Sequence, residues 1–235
     1  MKLNRIGIIV QARLTSTRFP KKTLYPLFGL PIIDWIAKRL LKVKMSDILI
    51  FAIPDNLKNL SLYNHLNDQG YHVIKGSENN VASRYLKAIK KFNIENVVRA
   101  CADNPLIDPL VVDLLISKYL ISKKKYLFNH IPYGKINIVD GLGAEIFNSN
   151  EFEKMYFKNK NNLSFKEHVT ILFRESINKS KYIPPYYDWM ISDLKLDVDY
   201  IIDLEKIEKK IKKIYKKNQL NKIPYINSKT LCQKH

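Results

Sequence analysis

Through the first half of the chain, short apolar runs alternate with stretches whose apolar residues recur every three or four positions. The runs Ile6–Val10, Ile48–Ile53, Tyr71–Ile74 and Val97–Cys101 are rich in β-branched and apolar residues and too short for helices. Between them, Pro31–Lys42, Leu57–Asp68 and Val81–Phe92 keep helical spacing; Pro31 suits a helix start, and Ile32, Ile33, Ile36 and Leu40 share one face. Alternation of this kind predicts βαβ units, hence an α/β domain with a mostly parallel central sheet flanked by helices. The pattern loosens after Tyr119. Tyr126–Asn129 and Gly143–Phe147 read as short strands around a Pro/Gly/Asn-rich loop, so residues 126–147 are expected to form a small lid or dimerisation arm. Helices are expected at Asn150–Phe157 and Phe165–Ser176. A last strand, Asp193–Val198, should lead into a helix whose Leu204, Ile207, Ile211 and Ile214 make one apolar stripe. Neither an internal repeat nor a flexible linker divides the chain, and residues 1–235 are expected to be a single domain.

Composition narrows the functional classes. A chain of 235 residues, 46% hydrophobic, can bury one large core. A formal charge of +18 invites a nucleic-acid reading, yet 33 of the 40 basic residues are lysines spread along the chain, so no nucleic-acid partner is expected. The seven arginines therefore stand out, since a planar fork matches carboxylate and phosphate oxygens in a way that an ammonium does not. Arg13, Arg18, Arg84 and Arg99 all fall in the segments singled out below. Cys101 and Cys232 are too few for a disulfide framework or a zinc site. No apolar stretch reaches signal-peptide or membrane-span length, and a cytoplasmic protein is expected.

Three segments carry candidate chemistry. In IGIIVQARLTSTRFPKKTL, residues 6–24, a buried strand breaks into Gln11, Arg13, Ser16, Thr17, Arg18, Lys21 and Lys22. Ligands of open α/β sheets bind at the carboxyl ends of strands, so this loop reads as a polyphosphate site. It has neither the P-loop nor the dinucleotide glycine pattern, so side chains and the backbone of Ala12–Thr17 must hold the phosphates. In the second segment, Val97–Pro109, a strand ends in a turn led by Asp103, which either holds a magnesium ion carrying phosphate or, with Asn104, caps a helix starting near Ile107. In the third, Asp197 and Asp199 share a face if the run is extended, and Asp203 suits the start of the next helix.

These segments resemble the cytidylyltransferases that activate acidic sugars, the CMP-sialate and CMP-Kdo synthetases and, nearest, the spore-coat-polysaccharide type. QARLTSTRFPKKTL is similar to their signature loop, GSENNVASRY to their G-S-E-D-D-V-L-D-R-Y, CADNPLIDP to G-D-x-P-L-I-D-P, and DGLGAEIF to D-G-L-D-V-E-V-F. EHVT at 167–170 and LKLDVDYIIDL at 194–204 complete the set. The resemblance implies a Rossmann-like fold, a homodimer, and magnesium-dependent transfer of CMP from CTP to a small anionic acceptor for surface-glycan synthesis. It implies triphosphate contacts by Gln11, Ala12, Arg13, Ser16, Thr17, Arg18 and Lys22. Of these, Arg13, Arg18 and Lys22 would be catalytic. Gly76, Ser77, Arg84 and Asp103 would line the nucleotide pocket, Asp103, Asp197 and Asp199 would bind Mg2+, and Asn104, Asp140, Glu145 and His168 would face the acceptor. Departures from the pattern are Lys21 for a common glycine, Asn79 and Asn80 for aspartates, Ala102 for glycine, and Gly143-Ala144 for D-V. A phosphate or phosphonate acceptor remains an alternative to a sugar acid, as does a degenerate nucleotide binder. Nothing in the residues alone excludes UTP. His168 is a candidate general base or acceptor contact, the alternative being that Glu167 and His168 open a helix and organise the lid or a dimer contact; His130 is a candidate substrate contact with local packing as the alternative, and Cys101 is expected in the core.

Overall fold

In the computed structural model, which describes residues 5–131, 133, 135–177, 183–215 and 224–233, the apolar runs become neighbours in one sheet. Its strands are β1 (Ile6–Gln11), β4 (Ile48–Pro54), β5 (His72–Gly76), β6 (Asn96–Cys101), β7 (Tyr126–Phe128) and β8 (Glu145–Asn148). They lie in the order β5-β4-β1-β6-β8-β7. The first four are mutually parallel, and β8 runs antiparallel to both β6 and β7. A separate two-stranded ribbon pairs β2 (Pro26–Leu27) with β3 (Leu30–Pro31). The helices are α1 (Ile32–Leu40), α2 (Leu60–Asp68), α3 (Val81–Phe92), α4 (Pro109–Ile121), α5 (Ser149–Lys158), α6 (Leu163–Glu167), α7 (Ile171–Ile177), α8 (Ile201–Ile214) and α9 (Ser228–Gln233). None of these helices is long and apolar enough to cross a membrane.

The central strands read as unbroken apolar runs because both faces of a parallel sheet are covered by helices. Ile8, Ile9, Val10, Ile50, Phe51, Ala52, Val97 and Val98 are all fully buried. Helix α1 packs on this core through Ile32, Ile33, Trp35, Ile36 and Leu40, each such side chain contributing roughly 1.5–3 kcal/mol of burial. The Trp35 indole donates to the Leu27 carbonyl at 2.8 Å, so its one polar atom is satisfied. On the same helix the buried Arg39 fork donates to the carbonyls of Ile107, Pro224 and Ile226 and to the Ser228 hydroxyl, fastening the C-terminal segment to the domain.

From β1 the chain winds outwards through β4 to β5, then returns to place β6 on the other side of β1. The crevice outside the carboxyl ends of β1 and β6 is therefore the topological switch point of the sheet, the general ligand position of such folds. Gln11 and Cys101 pair at that edge.

The ends of residues 126–147 are strands as expected, β7 and the start of β8, joined by a loop in which residues 132 and 134 lie outside the described set. Other expectations need correction. The region Asp193–Val198 is not a strand. It is extended chain touching the 137–140 loop through isolated bridges, with Leu196 N–H donating to Asp140 and Val198 N–H to the Asp103 carbonyl. A loop partner of irregular backbone cannot support a ladder. The expected helix Phe165–Ser176 is two helices, because the backbone leaves the helical region at His168 (φ −105°, ψ 82°). The apolar spacing Phe165, Val169, Phe173 runs straight through that break, and all three are buried. Finally, α4 starts at Pro109 and is capped by Asp108, whose carboxylate accepts from Leu110 N–H at 2.9 Å, so Asp103 and Asn104 are not the cap.

Gly143 lies on the loop entering β8, where a Cβ would overlap the backbone carbonyl of the fully buried Asn129. The Asn129 amide is itself fixed, donating to the Val111 carbonyl and accepting from Ala144 N–H, both at 3.1 Å. With backbone on both sides of the clash, Gly143→Ala should cost about 3 kcal/mol or more, measured by urea denaturation.

Candidate active site

The loop after β1 is shaped by other segments reaching into it. Leu14 N–H donates to the buried Asn59 side chain at 2.8 Å, and Thr23 Oγ1 donates to the Arg13 carbonyl at 2.9 Å. Thr15 Oγ1 donates to Glu78, which also accepts from Asn56 at 2.7 Å. Lys21 adopts the left-handed conformation (φ 57°) and leads into a short 3-10 turn, Lys22–Leu24. A glycine would take that conformation at lower cost, which is a physical reason for glycine to be common there. Asn80 keeps one function of the aspartate it replaces, capping α3 through Ser83 N–H at 2.9 Å.

The turn aims Lys22 inwards. Its ammonium donates to the Val198 carbonyl at 2.6 Å and lies 3.6 Å from Asp103 and 3.9 Å from Asp199. Arg18 closes both arms of its fork on the two oxygens of Asp199, at 2.9 and 2.7 Å. Residues near positions 18, 22, 103 and 199 therefore converge on one point at the switch crevice. Asp197 and Asp199 both face Lys195, at 3.3 and 3.7 Å, although their segment is not a strand. Asp203 accepts from the N–H groups of Asp199 and Tyr200 and so caps α8.

This point opens into a cleft of about 280 Å³, lined among others by Gln11, Ala12, Arg13, Ser16, Arg84 and His168. Gly76, at the carboxyl end of β5, packs against the Arg84 stem, and Ser77 is exposed. Arg84 is the unusual member. It is 2% exposed, and its Nε and Nη1 have no partner among the described residues. Burial, with Arg13 nearby, lowers its guanidinium to about 10. A buried cation with unmet donors beside a second arginine is an anion or acceptor site waiting to be filled.

On the far side the acidic residues crowd. Burial pushes the Asp140 carboxyl up to about 7, and the neighbouring Asp197 and Asp103 add to the rise. Burial also raises Asp197, whose Oδ1 is buried without a partner. Hard oxygen donors in excess of nearby protein donors fit a divalent cation. Among the described residues, no group of three or more His, Cys, Asp or Glu ligands is already arranged around one point.

Two expected acceptor residues are buried and are not among those that line the cleft. Asn104 is buried. The Glu145 side chain is 1% exposed and is consumed by protein donors: Arg99, Arg174, Tyr126 and Thr170 all bond to it. Burial alone would push this carboxyl up, but the two guanidiniums hold it well below the usual carboxylate range. His130 belongs to the same buried group, 3.2 Å from Arg174, and burial lowers it to about 4, so it is a neutral packing residue. His168 closes α6 rather than opening a helix, and it is exposed on the cleft wall. Cys101 is half-buried on the cleft and not in the core.

Arg99 is the functional candidate that reading the chain in order overlooks. It lines the cleft, yet its partners Gln11 and Glu145 are 88 and 46 residues away. The available signal was its rarity, as one of seven arginines at a strand end.

Residues 7–234 match the family model for cytidylyltransferases. The chain belongs to the cytidylyltransferase family. This cytidylyltransferase is 27% identical over 212 residues to the spore coat polysaccharide biosynthesis protein SpsF of Bacillus subtilis (strain 168), covering 88% of this chain and 86% of that protein. It is 26% identical over 220 residues to the 8-amino-3,8-dideoxy-manno-octulosonate cytidylyltransferase of Shewanella frigidimarina (strain NCIMB 400), covering 87% of this chain and 84% of that enzyme. Its fold matches a cytidylyltransferase structure from Leptospira borgpetersenii serovar Hardjo-bovis (strain JB197) with a TM-score of 0.80, at 27% identity over 90% of this chain and 88% of that one.

Cys101 gives this cytidylyltransferase a simple chemical test. Burial pushes its thiol up to about 12, Asp103 and Glu145 adding to the effect against Arg99. At pH 8 its thiolate fraction is on the order of a thousandfold below that of a free cysteine. Mass spectrometry after iodoacetamide treatment of the native enzyme should find Cys101 unmodified when a model thiol is fully alkylated.

Proposed function

We propose that this chain transfers CMP from CTP to an acidic sugar acceptor, with magnesium and with release of pyrophosphate, in the synthesis of a surface glycan. The observation that carries the reading is the Lys22 ammonium held between Asp103 and Asp199 at the switch point, flanked by Arg13 and Arg18. An acceptor oxygen attacks the α-phosphorus in line, the P–O bond to the β-phosphate breaks, and pyrophosphate leaves. Such a reaction needs little covalent help from the protein; positioning and charge carry the rate. Arg13 and Arg18 orient the triphosphate and neutralise its departing end, and Ser16 and the backbone of Ala12–Thr17 supply further donors. Arg18 must release Asp199 to do so, and both side chains are accessible enough to rearrange.

Arg84 favours a cytosine base. Its unmet donors need acceptors, and cytosine offers O2 and N3 side by side, whereas uracil presents an N–H at N3. A pocket that leaves a buried donor facing another donor discriminates strongly. The names borne by SpsF and by the Shewanella enzyme support a glycan context and a sugar-acid acceptor.

Asp103, Asp199 and Asp197 would hold magnesium, which supplies Lewis-acid polarisation of phosphoryl oxygens when bound. Lys22 and Arg18 then pass from those carboxylates to the phosphates, and Lys195 remains as the counter-charge to Asp197.

A pyrophosphate-release screen of four nucleoside triphosphates against sugar acids, sugar phosphates and phosphonates should give turnover with CTP and a sugar acid; release from no combination would refute the assignment. Lys22→Ala should lower kcat about a hundredfold while changing the KM for CTP only a few-fold, because its charge matters most when charge builds on the phosphates. Excess EDTA should stop pyrophosphate release and added Mg2+ restore it, whereas Asp103→Asn should stay impaired at any Mg2+ concentration. Full activity in EDTA would remove the metal from the scheme.

A further inference from the structure

Glu145, Arg99 and Arg174 form a charge cluster with one carboxylate for two guanidiniums. Both arginines bond to Glu145, whose oxygens also accept from Tyr126 at 2.8 Å and from Thr170 at 2.9 Å. The third basic group nearby, His130, is buried and neutral, so one positive charge is left over. Arg99 is the member of the cluster that lines the cleft. Its Nη1 is spent on Glu145 and its Nε donates to Gln11 Oε1 at 3.2 Å, while its Nη2 has no hydrogen bond among the described residues. Gln11 is oriented by the same contact. Arg99 Nε donates to its oxygen, and the Tyr85 hydroxyl, shared with the Ile9 carbonyl, lies 3.3 Å from it, so its NH2 group is the end left for the cleft. Two oriented donors, one charged, thus line the cleft together with Ala12, Arg13, Glu167 and His168.

We infer that Arg99, with the Gln11 amide, is the receptor for the carboxylate of the acceptor, and that Glu145 is a positioning residue that holds Arg99 in place for it. This rests on the reading of the cleft as one that takes CTP and an acid. A single uncompensated charge matches a monoanionic carboxylate better than a dianionic phosphate, and a guanidinium pinned at two of its nitrogens keeps a fixed direction for the third. Arg99 sits in β6 opposite Ile9 of β1 and reaches Gln11 at the end of that strand, so an acid bound there lies next to the loop that holds the α-phosphate. It would reject neutral sugars, because an ester or amide leaves the buried charge unpaired.

The test uses pyruvate, which carries a carboxylate and no hydroxyl to receive CMP, titrated into the CTP-saturated protein and followed by NMR. CTP fills the phosphate loop, so the remaining anion site is the one at issue. Pyruvate should bind, methyl pyruvate should bind at least tenfold more weakly, and inorganic phosphate should compete less well than pyruvate. Arg99→Met should weaken pyruvate at least tenfold with the Kd for CTP changed less than threefold, and Arg99→Lys should fall between. Glu145 stays paired with Arg174, Tyr126 and Thr170 in Arg99→Met, so the variant retains the rest of the cluster. Glu145→Gln, which turns an amide NH2 against one of the two guanidiniums and so frees Arg99 from its fixed direction, should weaken pyruvate at least threefold with the Kd for CTP changed less than threefold; an equal loss of CTP and pyruvate binding would make Glu145 purely structural and overturn its positioning role. Equal pyruvate binding by wild type and Arg99→Met, or none by wild type, overturns the inference, and stronger binding of phosphate than pyruvate overturns the carboxylate assignment. If CTP itself does not bind, the nucleotide reading fails separately, and the same wild-type against Arg99→Met comparison on the free chain still decides the role of Arg99.

Discussion

An ammonium group between two carboxylates from distant parts of the chain is the contact on which the site depends. Lys22 comes from the loop after the first strand, Asp103 from the turn after β6, and Asp199 from the segment before α8. Each position alone is an ordinary surface charge of little energetic weight. Brought together at the crevice where the sheet reverses its winding, they define a place where polyphosphate, cation and lysine can exchange partners without leaving charge stranded. The Val198 carbonyl adds a fixed acceptor, so the lysine is directed by backbone as well as by charge.

The absence of glycine-rich phosphate loops has a structural counterpart. A P-loop offers backbone amides around a helix end. Here the loop is instead pinned from outside by Asn59 and Glu78 and from within by Thr23, and it presents arginine and lysine side chains to the cleft. Preorganisation is achieved by side-chain bonds from the turns ahead of α2 and α3. Residues outside the signature loop thus shape it, including Glu78 in the segment after β5.

Much of this was readable in the chain. The four parallel strands and the first three helices follow from runs and spacing, since both are local consequences of burial on two faces or one. The convergence near 18, 103 and 199 followed from placing strand ends on a common edge. What escaped was set by long-range partners. Glu145 looks like a ligand in a glycine-flanked motif, and only Arg99 and Arg174, from other elements, turn it into buried structure. The break at His168 is invisible because the apolar rhythm continues across it. Asp193–Val198 carries strand-like alternation, but a strand also needs a regular neighbour, and the 137–140 loop is not one.

The Arg39 staple gives the far C-terminal segment an importance out of proportion to its length. Its guanidinium is 2% exposed and draws on the carbonyls of Pro224 and Ile226 and the hydroxyl of Ser228. Shortening the polypeptide before those positions would therefore do more than trim a tail. It would strand a charged group inside the protein with several donors unanswered, a cost of several kcal/mol by analogy with broken buried pairs. Trimming from this end should therefore stop short of Pro224, whereas the signature loop, far away in sequence, would register any such cut through the helix that Arg39 shares with Trp35.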